Sequence, residues 1–516
     1  MFRIYLWTLK KAHHKFIQSL ADPEISQQNY FKDLIAANQL TRFGKKHHFS
    51  ESMTIADFQK LVPVQSYGDI QADMDQVFTG REDVLVSSPI KIFEKTSGTT
   101  SKNKIIPFTE RFLTEVSQST SAWIYQTFLD APDMIGKKLY YSISPQMRER
   151  EFSPSNIPIG MADDTEYLGA LGKFFVHLFM AVPTSIGQIT DPQQWQRATL
   201  LHLVECRDLG FISLWSPTLL QVWIRFLETA DDEFFKELSL PAQERLRKCQ
   251  NLKMSLKELW PDLTVVSFWT DGPSALFFDD LRPFLRNIQI QSKGLMATEG
   301  IVSIPMGMQG GSPLAVHCQF LEFIDLDQQE IKLVHELQLG KRYSPVISNS
   351  AGLYRYHLKD IIECTGFFEN TPLVRFVGKL ESVSDLCGEK LSTEQVLSAI
   401  EDTQRELQIE MKWMQILASQ KARVGYVVLT HANSQDLSRI EEVLDQKLRK
   451  NIHYDYARKL GQLDRIRSYR FELSYLQDQY QNFMISEKIK VGDIKFQPLM
   501  PHDRFLTYLE QKESQL

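Results

Sequence analysis

The sequence predicts an α/β fold: a large N-terminal part in which strands alternate with helices and carry an added β-rich layer, then a smaller C-terminal α+β domain. Three observations carry that prediction. The apolar run 263–269 ends in the turn signal Thr270-Asp271-Gly272-Pro273 and follows a helix-rich stretch, the alternation of an α/β core. Short strand-like pieces crowd residues 312–378. After Phe376-Val377-Gly378 the pattern becomes helix 392–405, strands 411–418 and 423–430, and helix 434–450, a small α+β unit joined at a glycine-containing hinge. The boundary is placed at residue 378, giving domains 1–378 and 379–516.

In chain order, residues 1–62 read as mostly helical through Phe16, Leu20, Phe31, Leu34 and Ile35. A second helix is expected over 112–129, with Phe112, Val116, Ala122, Tyr125 and Leu129 on one side. Residues 139–145 look like a strand closed by proline. From 190 to 260 the chain is helix-rich and amphipathic, with Trp195, Leu201, Leu219, Trp223 and Phe226 as core candidates. The longest apolar stretch, 174–183, contains His177, is far too short to span a bilayer and is expected to be buried core.

At 516 residues the chain exceeds one ordinary core, and 43% hydrophobic with 24% charged residues is the balance of a soluble globular protein. A net charge of −6 gives no nucleic-acid footprint. Five scattered cysteines without a Cys-x-x-Cys pair point to reduced thiols in a cytoplasmic protein, with neither a disulfide framework nor structural zinc. The adjacent pairs His13–His14 and His47–His48 point in different directions on any regular element and chelate poorly. Arg3, Lys10 and Lys11 divide the first apolar run and no small-residue cleavage site follows, so neither a secretory segment nor a membrane partner is expected.

Three segments carry chemistry. Glu94-Lys95-Thr96-Ser97-Gly98-Thr99-Thr100-Ser101-Lys102-Asn103-Lys104 crowds hydroxyls, a glycine and lysines behind the strand-like Ile90, Ile92 and Phe93. Such a loop can wrap a phosphate: Gly98 admits close backbone approach, amides and hydroxyls donate, and lysines neutralise charge. The Gly-x-x-x-x-Gly-Lys-Ser/Thr spacing of the common P-loop is absent. The expected local order is strand, phosphate loop, helix. The second segment, 294–300, delivers Thr298, Glu299 and Gly300 at an apolar strand tip, where a carboxylate can hold Mg²⁺ against phosphate oxygens. The third, 354–362, sets Asp360 behind the strand-like Tyr354-Arg355-Tyr356-His357, and a carboxylate can accept both hydroxyls of a ribose. Taken singly, each also fits a plain alternative: a solvated turn, a turn with one exposed glutamate, and a strand with a salt bridge.

In this order, about 200 and 60 residues apart, the three segments resemble the adenylate-forming enzymes. The nearer resemblance is to the Gretchen Hagen (auxin-responsive promoter) family, acyl acid amido synthetases that conjugate auxin, jasmonate and benzoates to amino acids. Residues 376–394, with Gly388-Glu389-Lys390, are similar to that family's interdomain stretch, and 492–498 to its C-terminal lysine segment. With the aromatic 268–282 region, the resemblance covers most of the chain from residue 90 onward. Two positions depart from the pattern. Lys359 stands where the wider superfamily usually has glycine, and Lys379 replaces an expected arginine, which weakens any bidentate contact there.

The resemblance implies a large adenylate-forming domain with a smaller mobile C-terminal domain, acting as a ligase with ATP and Mg²⁺. It would adenylate an apolar or aromatic carboxylic acid and pass the acyl group to an amino acid. Ser97, Gly98, Thr99, Thr100 and Lys104 would hold phosphates. Thr298 and Glu299 would address the α-phosphate, with Glu299 also the metal ligand. Tyr354 and Asp360 would join the nucleotide-binding set, Asp360 at the ribose, and Lys495 would bridge carboxylate and α-phosphate. Alternatives are an acyl-coenzyme A ligase of the same superfamily and a non-catalytic nucleotide-binding homologue. Trp123, Tyr140, Tyr141, Phe174, Trp215 and Trp269 could wall an acyl pocket, but aromatics at such spacing more often fill a core and are left out of the site. The acid, the acceptor and the oligomeric state have no motif of their own.

Overall fold

The computed structural model describes residues 2–95, 104–142, 151–160, 178–251, 255–274, 278, 281–307, 310–380, 383–384, 386–387, 389–421, 424–459, 461–487, 489, 491 and 494–513. The fold is mixed α/β. The chain divides into two compact units, one of Met1–Asp271, Asp280–Leu358 and Ile362–Phe376, the other of Gly272–Asp279, Lys359–Ile361 and Val377–Leu516.

The first unit opens with helices Phe2–Ala21 and Pro23–Asn38, separated by Asp22, whose carboxylate accepts the Ile25 amide at 3.0 Å and starts the second helix with Pro23 at its first position. Phe16, Leu20, Phe31, Leu34 and Ile35 are all buried, as their spacing predicts. Helix Phe2–Ala21 lies along helix Glu110–Asp130, which Thr109 caps through the Phe112 amide at 3.0 Å.

Two sequence expectations change here. Strand Ile90–Lys95 is followed by a second strand, Ile105–Thr109, which pairs with it antiparallel (Phe93 opposite Pro107), before the helix begins. Among the described residues the local order is therefore strand, strand, helix; the apolar Ile105–Phe108 carries the extra strand, and residues 96–103 lie outside the described residues. Strand Leu209–Ser213 sits inside the stretch expected to be helical. All five of its residues are buried, and a short run buried on both faces has no period that separates it from buried helix.

That strand is second in a parallel sheet of Lys138–Tyr141, Leu209–Ser213, Val265–Ser267 and Gln289–Gln291, in register through Tyr140/Ile212, Val266/Ile212 and Val266/Ile290. Within 174–183, residues 174–177 lie outside the described residues; Met180 and Val182 are buried and Leu178 is exposed, so only part of the expected core segment is core. Among the described residues no helix is long and apolar enough to cross a membrane.

The β-rich layer is a seven-stranded sheet built on Phe320–Asp325 and Arg342–Ser348, paired antiparallel with Phe323 opposite Pro345. On Phe320–Asp325, one strand in from the sheet edge, the Glu322 carboxylate meets the Arg355 guanidinium at 2.9 Å, with side chains 1% and 5% exposed. Arg355 also donates to the carbonyls of Val62 at 2.7 Å and Gln59 at 2.9 Å, and the Gln59 amide reaches Glu322 at 2.9 Å.

In the second unit, strands run in the order Arg467–Arg470, Gly425–Thr430, Met414–Ser419 and Leu499–Met500. Alternate residues face two separate cores: Met414, Ile416, Tyr426 and Val428 pack with helices Thr393–Leu407 and Leu437–Leu448, while Trp413, Leu417, Val427 and Leu429 pack with Leu473–Ser486 and Arg504–Glu513. Burial on both faces makes these strands near-continuous apolar runs. The last two helices and the outer strands are additions to the predicted helix-strand-strand-helix.

Removing one partner from the Glu322–Arg355 pair strands a buried charge. Glu322→Ala is expected to cost about 3–5 kcal/mol in chemical denaturation; a loss under 1 kcal/mol would show that the pair does not hold the sheet to the N-terminal helices.

Candidate active site

Lys104 opens strand Ile105–Thr109, whose first residue is fixed by Tyr67: the Ile105 amide donates to the Tyr67 hydroxyl at 2.9 Å. From that anchored start the Lys104 ammonium donates to the Tyr356 hydroxyl at 3.2 Å, with its nitrogen 5.8 Å from the ring centroid. The lysine of the first segment is thus carried to the strand of the third. Ser97, Gly98, Thr99 and Thr100 lie outside the described residues.

Thr298 and Glu299 form the tip of a hairpin, Met296–Ala297 against Gly300–Ile301, and both are half-buried. The tip is held from behind: the Asn349 amide donates to the Glu299 carbonyl at 2.8 Å. Gly300 packs closely here: a Cβ would meet Gln319 Oε1 at 2.4 Å and Ile347 Cδ1 at 2.9 Å, and both side-chain ends would have to shift. The described residues contain no group of three His, Cys, Asp or Glu that could cage a metal. One carboxylate beside a hydroxyl fits Mg²⁺, which takes one or two protein carboxylates and draws its other ligands from phosphates and water.

Asp360 is 3% exposed and its Oδ1 lies 3.0 Å from the Lys379 ammonium. The residue before it, Lys359, has φ +59°, the left-handed region, and its carbonyl accepts the Leu380 amide at 2.7 Å. A glycine would enter that turn freely; lysine does so against a steric cost of about 1–2 kcal/mol.

Tyr354 takes a different role from the one expected. Its ring is fully buried, stacked on Phe43 with centroids 4.5 Å apart, and its hydroxyl donates to the Leu85 carbonyl at 2.7 Å. One ring face and the polar atom are engaged with the core, where the side chain supports the strand.

Lys495 is exposed between buried Ile494 and Phe496, the alternation of an extended segment. The Tyr480 hydroxyl fixes this backbone, donating to the Lys495 carbonyl at 2.9 Å and accepting the Gln497 amide at 3.1 Å. The lysine therefore projects from a pinned backbone.

Residues 12–290 match the GH3 family N-terminal domain and residues 312–379 the GH3 family central domain. The chain belongs to the GH3 family. The indole-3-acetic acid-amido synthetase GH3.15 of Arabidopsis thaliana is 22% identical over 398 residues, covering 67% of this chain and 66% of that protein. The chain's match therefore spans just under two thirds of that relative's length. The 4-substituted benzoates-glutamate ligase GH3.12 of the same plant is 21% identical over 436 residues, 72% of each. The solved structure of AtGH3.15 acyl acid amido synthetase in complex with 2,4-DB superposes with a TM-score of 0.80 at 17% identity, over 98% of this chain and 96% of that one. These relatives are named synthetases and ligases that join acids to amino acids.

Three features of this GH3 chain escape a reading of the sequence. Asn349 has no signal beyond lying just before the third segment. Lys293 is 3% exposed, donates to Ser213 Oγ at 2.5 Å and lies 4.5 Å and 5.0 Å from the ring centroids of Trp123 and Trp215. It stands beyond the carboxyl ends of the parallel strands, where open α/β sheets bind ligands; the strand before it, Gln289-Ile290-Gln291, is mostly polar, and no local pattern marks the lysine. Glu389 of the Gly-Glu-Lys triplet is fully buried and clasps its own loop, accepting the Leu386 and Cys387 amides at 2.8 Å each and the Tyr426 hydroxyl.

Burial alone would raise the Glu389 pKa, but the Tyr426 hydroxyl and the two backbone amides outweigh it and hold the carboxyl below its ordinary value. A depressed folded pKa stabilises above the unfolded value of about 4.3 and loses that contribution as pH falls through the folded value. Glu389→Gln is expected to lower stability at pH 7 by about 1.5–3 kcal/mol, with the gap from wild type closing as pH drops from 5 toward 3. Thermal melts across that range check it; a pH-independent gap would assign the loss to packing.

Proposed function

We propose that this GH3 protein uses ATP and Mg²⁺ to convert an apolar or aromatic carboxylic acid to an acyl-adenylate, then transfers the acyl group to the amine of an amino acid. The geometric observation that carries the reading is Lys104 set against Tyr356, which joins the phosphate-loop segment to the Asp360 segment inside a chain matched by two GH3 domains. Relatives named for indole-3-acetic acid and 4-substituted benzoates support the acid class.

A free carboxylate is a poor electrophile because oxide would have to leave. In the first step the acid's oxygen attacks the α-phosphorus, the bond to the β-phosphate oxygen breaks, and pyrophosphate departs. The amine then attacks the acyl carbon, AMP leaves with the carboxyl-derived oxygen, and the amine gives up a proton. Charge grows on phosphate oxygens in the first step, so catalysis rests on positioned donors. In this reading Ser97, Gly98, Thr99, Thr100 and Lys104 hold phosphates, and Thr298 meets the α-phosphate. Glu299 supplies the carboxylate for Mg²⁺, whose contribution when bound is to neutralise phosphate charge. Asp360 holds the ribose hydroxyls, which share its carboxylate with Lys379 or displace it. Lys495, exposed on its pinned backbone, neutralises charge between the acid and the α-phosphate.

We place nucleotide and acid binding in residues 1–378 and the role of a mobile closing domain in 379–516. The aromatic-flanked Lys293 is our candidate for the polar contact of the acid. Five free thiols accord with a cytoplasmic protein.

Pyrophosphate release with ATP and Mg²⁺ tests the reading across indole-3-acetate, 4-substituted benzoates and aliphatic acids, each with and without mixed amino acids. Acid-dependent release, faster with an amino acid and yielding an amide, is expected. A coenzyme A thioester instead would move the protein to acyl-coenzyme A ligase chemistry, and ATP binding without release for any acid would favour a binding protein.

Lys495→Ala is expected to slow adenylation by roughly 10²–10³-fold, the usual loss for one preorganised donor to developing charge. A wild-type adenylation rate in that variant removes Lys495 from the first step.

A further inference from the structure

The turn carrying Thr298 and Glu299 is short, and its two-residue strands are anchored at their base, where the Val302 amide donates to the Leu295 carbonyl at 2.9 Å and the Ala315 amide to the Val302 carbonyl at 2.9 Å. Nearer the tip a pair of buried side-chain amides holds it on either side of Gly300. Asn349, with no exposed surface, donates from Nδ2 to the Glu299 carbonyl at 2.8 Å. Gln319, 1% exposed, donates from Nε2 to the Ile301 carbonyl at 2.6 Å. Gly300 lies against both side chains, so close that a Cβ would come within 2.4 Å of Gln319 Oε1 and 3.2 Å of Asn349 Nδ2.

Each amide is itself tethered. Asn349 Oδ1 accepts the Ala351 amide at 3.1 Å, and its backbone amide donates to the Leu353 carbonyl at 2.9 Å. The next residue, Ser350, donates from Oγ to the Glu115 carboxylate, and its carbonyl accepts Thr109 Oγ1 at 2.9 Å. Glu115 is held in turn by Arg111 at 3.0 Å and by the Tyr30 hydroxyl at 3.2 Å. On the other side, Gln27 donates to the carbonyls of Val316 at 2.8 Å and Gln319 at 2.7 Å, and accepts the Leu321 amide at 2.6 Å.

Gln319 Oε1 meanwhile accepts no hydrogen bond from the described residues although it is buried. A buried acceptor left unmade is a cost to folding. The arrangement sacrifices that bond to aim the opposite end of the amide at the hairpin.

We propose that Asn349 and Gln319 are positioning residues for the nucleotide step, a two-sided amide clamp that fixes where the Glu299 carboxylate is presented. This rests on the reading of Glu299 as the Mg²⁺-bearing carboxylate. The clamp acts on the peptide carbonyls either side of Gly300 and leaves the Thr298 and Glu299 side chains to meet phosphate and metal. The Glu115 network extends the clamp to the N-terminal helices, so displacing Ser350 displaces the turn.

The test is ATP binding by calorimetry on the full chain, with Mg²⁺ and with EDTA, for wild type, Asn349→Asp, Glu115→Gln and Glu299→Gln, alongside melting temperature. Asn349→Asp replaces the donor with an acceptor facing a carbonyl; Glu115→Gln is nearly isosteric and loosens the turn only through Ser350. We expect Asn349→Asp to lose about 10–100-fold of the Mg²⁺-dependent part of ATP affinity, the usual effect of removing a support behind a metal ligand. Affinity in EDTA should hold, and Glu115→Gln should show a smaller loss of the same kind. Adding Asn349→Asp to Glu299→Gln should give no further loss, since both act through one carboxylate.

A folded Asn349→Asp with wild-type Mg²⁺ dependence, or losses that add in the double variant, overturns the proposal. If Asn349→Asp does not fold, a wild-type Mg²⁺ response in Glu115→Gln overturns it. Wild type and Glu299→Gln responding alike to Mg²⁺ would instead remove Glu299 from the metal, and the functional reading of that residue with it.

Discussion

The Arg355 guanidinium is the contact on which the rest of the first unit turns. It neutralises Glu322 on the sheet and donates to the carbonyls of Gln59 and Val62, which end a helix of the N-terminal layer. Its own backbone is left-handed, with φ +48°, and flanks both sides of the join: the Gln65 amide donates to the Arg355 carbonyl at 2.8 Å, and the His357 amide to the Gln65 carbonyl at 2.9 Å. Tyr356 is thereby set for Lys104, and Tyr354 is driven into the core against Phe43. A planar fork can satisfy a carboxylate and two carbonyls at once, which an ammonium on a flexible stem does less well.

Much of the family signature in this GH3 chain is therefore scaffold. Tyr354, Arg355 and Glu389 sit in the most recognisable segments, and all three spend their polar atoms on protein groups. Beside them lie half-buried or exposed side chains, Lys104, Thr298, Glu299 and Lys495, to which the proposed function assigns substrate contacts. A motif of this kind mixes side chains that hold the fold with side chains that stay available, and burial alone does not sort them, since Asp360 and Lys293 are each 3% exposed.

The two departures from the superfamily pattern meet at one turn. Lys359 occupies a glycine conformation, and Lys379 stands opposite Asp360 as a single-point cation where arginine would grip both oxygens. The Lys379 side chain is 52% exposed, so water competes for its charge while Asp360, 5% exposed, keeps its carboxylate in the protein.

The sequence by itself determined the fold class, the helical N-terminus, the paired strands and helices after residue 378, and the three segments to which the proposed chemistry is assigned, because each leaves a local trace: a period, a turn signal, or a cluster of donors around glycine. Tertiary structure alone decided what those traces touch. The strand Leu209–Ser213 is buried on both faces and so has no period to read; the strand Ile105–Thr109 turns the expected strand-loop-helix into a hairpin because its partner lies across the loop. Asn349 reaches Glu299 across 50 positions of chain, and Lys104 reaches Tyr356 across 252. Such pairings follow from how sheets and helices close on one another, and no local pattern of residues records them.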